Sequence, residues 1–587
     1  MHPRGREHRA HVGGRGEGDA LGLSPAGFEW TKALADRLRE VAARDGVDAV
    51  YEALIAASES PPEQREMTEA MADVLPTPAP RWSPAIISST RRPRRCSPSS
   101  RKYSSARLRV KVHSELVPVL SASDNRRSVA TLTLALLVLL VLITVAAAGR
   151  RDAAAAAPPP GWLVQPKGEA GCVHARGTNR CERARAVTSP EDVVISPDGR
   201  HVYVAAYGSN AVAVFERHRR TGELEQLSGR RGCVRYKRGG SCSQARALAN
   251  PTAIALSADG LNAYVTSAGS DALSVFARNR RTGALRQLPG ASGCLSQRPG
   301  GGCVVGRGLN EPTSVAVSPD GQHVYVTGRR FPSGVAILDR ASDGSLTQPA
   351  GASGCISHRG GSGCAPARGI SAPEEVAVTP DSRQVLVAGS RSDAIAVLSQ
   401  GPGGLSQAEG DAGCIAKGAA EGCGRARALA GPVDLALTPD GRGIYVASSA
   451  SDAVAILRRD RTTGALTQSL SRAGCISQNG GGGRCAAGRG LNEVWGVALS
   501  PDGRNLYAVS AKVNMLSAIA RNRSTGRLAQ LPGRYACFIR AGGLGCPEGR
   551  GLTVAVAVAV SRDGRNVYVA SEDVYLGSIA VFQRRRG

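Results

Sequence analysis

The chain has 587 residues, a formal net charge of +26, 72 Gly, 33 Pro and 15 Cys, and only 4% aromatic residues. Gly and Pro at this level mean either disorder or many turns, and a sevenfold internal repeat decides for turns. The charge does not make a nucleic-acid binder: nine Lys and Arg sit in one N-terminal run, the rest are scattered through loops, and no aromatics are interleaved for base stacking.

Residues 1–127 stand apart from the rest of the chain. Phe28 to Ala57 has helical apolar spacing (Trp30, Leu34, Leu38, Val41, Val47, Val50, Leu54). Pro76 to Arg109 is rich in Pro, Ser and Arg and reads as disordered. Together they are either a partly helical cytoplasmic region or the artefact of a misplaced start codon. An uncharged apolar run from Val129 to Ala148 follows, about the length that spans a bilayer. Lys and Arg are denser before it (Arg91, Arg92, Arg94, Arg95, Arg101, Lys102) than after it, which keeps the N-terminus cytoplasmic and exports the rest. Ala146-Ala147-Ala148 also resembles a cleavage site. Residues 128–149 are therefore a single-pass transmembrane anchor, favoured by the long extension before it, or a signal segment whose removal leaves a secreted protein. Residues 150–160 form an Ala/Pro-rich linker.

Cysteine follows the same division. Only Cys96 precedes the apolar run, and the other fourteen follow it as seven close pairs, as expected of a reducing and an oxidising side. The leading Cys recur at spacings of 61, 61, 61, 59, 61 and 62 residues, each with a partner nine residues on, or ten in the sixth pair. The expected disulfides are Cys172–Cys181, Cys233–Cys242, Cys294–Cys303, Cys355–Cys364, Cys414–Cys423, Cys475–Cys485 and Cys537–Cys546. Four residues beyond each second Cys lies an Arg: Arg185, Arg246, Arg307, Arg368, Arg427, Arg489 and Arg550. Seventeen beyond lies an Asp: Asp198, Asp259, Asp320, Asp381, Asp440, Asp502 and Asp563.

Each copy reads as four short strands. In the third, Val315–Ser318 is followed by the turn Pro319-Asp320-Gly321, then His323–Val326, then Gly334–Leu338, and a last strand opens at Leu346-Thr347-Gln348. Four strands per repeat arranged radially make a propeller blade. Leu-x-Gln stands nine residues before every leading Cys, including the first (Leu163-Val164-Gln165), where no earlier blade supplies it. The last copy stops after its third strand, Ser578–Phe582. The N-terminal strand is thus expected to complete the last blade and remove two exposed sheet edges.

Ser-Pro-Asp-Gly-Arg-x-Val-Tyr-Val-Ala at Ser196–Ala205, and looser copies elsewhere, resembles the repeat of the YVTN and lactonase-like seven-bladed propellers. The resemblance covers residues 161–587 and implies an all-β, seven-bladed β-propeller. It also brings in lactone hydrolysis of the 6-phosphogluconolactonase type, although no His/Arg/Glu set matches such an active site residue by residue. Function does not follow from this fold.

Candidate sites lie where the loops gather. The Cys-bearing segments are read as the connections from one blade's fourth strand to the next blade's first, so seven stapled loops should crowd one face, the top. They either order Gly-rich loops alone or present a binding surface. Zinc is not expected, because no further Cys or His stands at ligand spacing. Runs such as Gly480–Gly483 are loop tips, not phosphate loops. The sevenfold Arg forms either a ring near the channel mouth suited to a small anionic ligand, or a set of bonds within each blade. The sevenfold Asp caps its own turn on the opposite, bottom face. His201 and His323 are taken for surface residues, and His174 and His358 fall in the Cys loops.

Symmetry breaks just before the inner strand: Glu191-Asp192, Thr252-Ala253, Thr313-Ser314, Glu374-Glu375, Val433-Asp434, Trp495-Gly496 and Val556-Ala557. Asp192, Glu375 and Asp434 are expected to converge at the channel mouth and hold a divalent cation. The bottom hairpins carry Arg217, Arg219, Arg220, Arg278, Arg280, Arg281, Arg458, Arg459, Arg461, Arg521 and Arg523, which would rest on anionic headgroups if the anchor is retained. The expectation is a monomeric, exported, membrane-anchored interaction module at the cell envelope, binding an envelope polymer, a protein or a small anionic molecule. Lactone hydrolysis is the alternative.

Overall fold

The computed structural model describes residues 158–586, except 179, 238, 239, 574 and 575. The expectations for residues 1–127, for the apolar run at 128–149 and for most of the linker fall outside the described residues. Among the described residues no helix is long and apolar enough to cross a membrane.

Seven sheets, antiparallel except at their outer edge, form the blades of a β-propeller. In the second blade the inner strand Pro251–Leu256 pairs with Asn262–Ser267, and that strand with Ala272–Arg278. The inner strands run from the top face to the bottom. Second and third strands are continuous apolar runs rather than alternating ones, because a neighbouring blade covers each face. Val202 to Ala206 and Ala211 to Phe215 are all buried.

The outer part of the blade differs from the four-strand expectation. Leu285–Gln287 and Cys294–Ser296 both pair antiparallel with the third strand, as one outer strand broken by the 3-10 turn Gly290–Gly293. A further strand, Val304–Val305, pairs parallel to Cys294–Ser296 and forms the edge. The leading Cys therefore lies inside the outer strand and not in the connection to the next blade. Each disulfide ties that strand to the start of the edge strand, or in the sixth blade to a single parallel bridge in its place, with Cα–Cα separations of 4.7–5.2 Å. All seven expected pairs are formed. The loops hang on the outer rim of the upper half and do not crowd the channel mouth. Seven disulfides are those of a protein folded in an oxidising, extracytoplasmic compartment.

The ring closes as the Leu-x-Gln register requires. Leu163–Val164 and Cys172–His174 pair with Leu576–Arg584, so the N-terminal strand supplies the outer edge of the seventh blade. The core gives a second count. Seven apolar clusters each join two successive blades, and one of them joins the seventh to the first through Tyr568, Ile579, Val202 and Phe215.

Candidate functional site

Three sets of polar residues organise the molecule, and one of them surrounds the axial channel. The first is on the rim. Each of the seven Arg donates its backbone N–H to the Leu-x-Gln glutamine of the next blade, as Arg246 does to Gln287 at 2.8 Å. Arg550 does so to Gln165 at 2.8 Å, which repeats the bond across the ring closure. The guanidinium then reaches carbonyls of the next blade's outer turns: Arg246 bonds Gly302 at 3.1 Å and Gly290 at 2.6 Å. None of the seven lines the channel. They do not form the ring at the mouth, nor do they bond within their own blades; they staple blade to blade, because the broken outer strand exposes carbonyls that need donors.

The second set lies on the bottom and was missed at the level of sequence. Tyr203 donates its hydroxyl to Gly283 of the next blade at 2.7 Å. Arg278 of that next blade donates to the same hydroxyl at 2.6 Å and pairs with Asp198 at 3.0 Å. The arrangement recurs through Arg217, Arg340 and Arg584 with Asp563, Asp259 and Asp502. In the fourth blade Leu386 replaces the Tyr, and Arg459 bonds Gln384 and Asp381 instead. The Asp thus does more than cap its turn. Burial opposes its ionisation, yet bonds from Ser196, the Arg200 N–H and Arg278 hold Asp198 down at about 2. His201 is buried, not on the surface, and bonds Arg278 at 2.9 Å. Burial first, then the Arg278 charge, lower it to about 4. Of the bottom-face Arg named from sequence, Arg217, Arg278 and Arg459 are likewise buried and unavailable to an outside surface. The signal was present: an Arg sixteen residues before Cys233, Cys294, Cys475 and Cys537.

The third set lines the channel, a cavity of about 1010 Å³ bounded by the inner strands. In every blade the pairing of inner and second strands slips near the top, between Pro190 and Asp192 in the first blade for example. Such a bulge re-aims consecutive side chains. The lining includes Glu191, Asp192, Glu311, Glu374, Glu375, Asp434, Glu493 and Glu572, against Arg329 and Arg562 alone. Asp192, Glu375 and Asp434 therefore do share one cavity. Asp192 accepts from the N–H of Val193 at 2.7 Å and of Ile254 in the next blade at 2.9 Å. Asp434 accepts from Leu435 at 2.6 Å and Val497 at 2.7 Å.

Burial, against those N–H bonds, raises Asp192 and Asp434 to about 6. Burial and then the Asp434 charge push Glu375 well above the carboxylate range. Burial and the nearby Glu572 raise Glu191 to about 7, although Arg329 opposes them. At the mouth Arg329 bonds Glu311 at 2.6 Å and lies 3.5 Å from Glu374. Trp495, 42% exposed, and Tyr207, 38% exposed, also face the cavity. Among the described residues no three His, Cys, Asp or Glu are grouped closely enough to hold a metal ion.

Glu311 and Glu493 were overlooked; both stand at a position whose backbone conformation recurs in every blade. The residue before each inner strand is left-handed in all seven blades: Ser189, Asn250, Glu311, Ala372, Gly431, Glu493 and Val554 have φ of 45–58°. Gly and Asn suit that region, and the other five enter it at a cost that the blade architecture imposes everywhere.

No family model and no curated protein matches the chain. Among solved structures it is similar to the periplasmic gluconolactonase PpgL of Pseudomonas aeruginosa, at 19% identity over 64% of this chain and 94% of that one, with a TM-score of 0.42. A Bacteroides uniformis protein provisionally assigned as a 6-phosphogluconolactonase is 18% identical over 58% and 83%, at 0.40. The hydrazine synthase of Kuenenia stuttgartiensis is 15% identical over 70% and 99%, at 0.42. These likenesses assign no activity.

Proposed function

We propose that the protein is an exported β-propeller of the cell envelope that binds an organic cation, a primary amine or guanidinium on a compact body, in the mouth of its channel. The carrying observation is a charge inversion. A chain of net charge +26 lines its one large axial cavity with eight carboxyl groups and two guanidiniums; burial keeps Glu375 protonated and Glu191 about half ionised at neutral pH, and the other six supply the negative charge. A cleft lined by one sign of charge with low-dielectric walls concentrates counter-ions. Trp495 and Tyr207 add aromatic faces that attract ammonium and guanidinium groups. Arg329, held between Glu311 and Glu374, shows that a guanidinium suits these carboxylates.

The same charge disfavours a small anionic ligand. A tightly coordinated divalent cation fits less well, because Asp192 and Asp434 direct both oxygens to backbone N–H groups. The YVTN relationship, the anchor at 128–149 and a monomeric state belong to this proposal as its setting. Calorimetric titration with agmatine tests it: saturable binding weakened at least tenfold by Glu374→Gln is expected. Equal binding of an uncharged analogue of the same size overturns it.

One observation favours a second reading, lactone hydrolysis. Glu191, raised to about 7, has the proton affinity of a general base at neutral pH. Turnover of any member of a lactone panel, with or without chelator, and its loss in Glu191→Gln would establish that reading. A panel without turnover removes it.

A further inference from the structure

We infer that the bottom face docks on an anionic bilayer, so that the channel mouth points away from the membrane. Three observations lead there.

The first is where the chain enters. Pro160 accepts a bond from Asn505 at 3.1 Å and Gly161 one from the Tyr507 hydroxyl at 2.6 Å. Gly161 thus takes the place that Gly222 and Gly283 occupy against Tyr568 and Tyr203 in the turns between third and outer strands. Those turns define the bottom face. The second is what precedes this point in the sequence. Eleven residues, 149–159, separate it from the uncharged run Val129–Ala148. At about 3.5 Å per residue they reach at most about 40 Å. A bilayer holding that run therefore lies beneath this face and not above the channel mouth.

The third observation is charge. Asp198, Asp259, Asp381, Asp502 and Asp563 of the bottom turns are each neutralised by a guanidinium of the next blade. The exposed remainder has an excess of Arg: Arg219, Arg220, Arg280, Arg281, Arg461 and Arg523 in the turns after the third strands, where Glu223, Asp343 and Asp460 also lie, with Asp320 and Asp440 exposed in the turns before the second strands. The turn between inner and second strands adds one exposed Arg in five of the seven blades. Juxtamembrane Arg is drawn to anionic headgroups within about a Debye length, roughly 8–10 Å. The buried Arg217, Arg278 and Arg459 take no part. Chain entry favours a bilayer over a free polyanion, since an apolar run retained as an anchor so few residues before this face would hold it against one. The acidic mouth then opens to the outside, where a cation arrives without crossing the layer of headgroups.

The propeller closes on itself through residues 163–174, so residues 158–587 are tested without the apolar run. Sedimentation with phosphatidylglycerol/phosphatidylcholine vesicles is compared with phosphatidylcholine alone. Binding to the anionic vesicles only, reversed by salt, is expected. Replacing Arg219, Arg220, Arg280 and Arg281 by Ser should weaken it at least tenfold. The charge-matched set Arg230, Arg231, Arg359 and Arg425 on the outer rim and disulfide loops should change it less than twofold. All eight residues are exposed, and retained thermal unfolding confirms that each variant is folded. Equal losses in the two sets, or no vesicle binding beside binding to a soluble polyphosphate, overturns the inference. Absence of binding to either also overturns it.

Discussion

The rim and the channel are built from the same blades and treat the repeat in opposite ways. Around the rim every blade offers the same Arg to the same Gln of its neighbour, and the bond recurs even where the chain ends meet. In the channel the paired residues at the start of the inner strand differ in all seven blades. The electrostatics divide likewise: Asp198 and Asp502, in the interblade network, are held at about 2, whereas Asp192 and Asp434 in the channel rise to about 6. A sevenfold residue meets a need that every blade has, the joining of sheets. A ligand needs one place, and one place breaks the symmetry.

The sharpest way to break this comparison is in the interblade network. Arg278→Ala leaves Asp198 and the Tyr203 hydroxyl without their shared donor in a buried setting, and a loss of about 3 kcal/mol is expected in urea denaturation. A loss below about 1 kcal/mol would mean that the network is decoration and that the apolar clusters alone join the blades. At the channel, Arg329→Gln frees Glu374, while Arg330 still pairs with Glu311, and should raise agmatine affinity about tenfold, about 1.4 kcal/mol. A fall in affinity would make Arg329 part of the ligand's support instead of its competitor.

Proton linkage sharpens the contrast further. Glu191 near 7 and Asp192 and Asp434 near 6 lie above the carboxylate values of about 4 in an unfolded chain. Between these limits the folded state binds more protons than the unfolded one, so this contribution to stability is full below about pH 4 and is lost as pH rises through about 6 to 7. The melting temperature is expected to fall by a few degrees over that interval, while cation affinity rises as the carboxylates ionise. Glu191→Gln should flatten the upper part of both curves, and unchanged curves would place Glu191 outside the linkage. The smallest effect is expected at the rim. Arg246→Ala removes exposed bonds to carbonyls that water can replace, and should cost about 0.5–1 kcal/mol.

Much of the architecture was legible along the chain. The period, the Leu-x-Gln register and the missing last strand are local facts, and they led to seven blades, the closing strand and all seven disulfides. The edge strand was not legible, since two residues such as Val304–Val305 carry no periodicity. Burial of His201 was not either, because it depends on Arg278, seventy-seven residues away. In the channel, Asp192, Glu375 and Asp434 were found as breaks in the repeat. Glu311, Glu493, Glu572 and Arg329 were not, because the first two precede an inner strand and the others stand at the end of a second strand, and they meet only when seven strand ends share one mouth.

By itself the sequence determined the number of blades, the manner of closure and the chemistry of each staple, since these depend on residue types at short, repeated separations. Only the tertiary structure decided direction. It turned the recurring Arg of each repeat outward to the next blade's rim, hid the Arg that ends most third strands between blades, and aimed the unrepeated carboxylates at a common axis. The physical reason is that a bulge, a broken outer strand and a neighbouring sheet set where a side chain points. None of the three is a property of the residue that carries it.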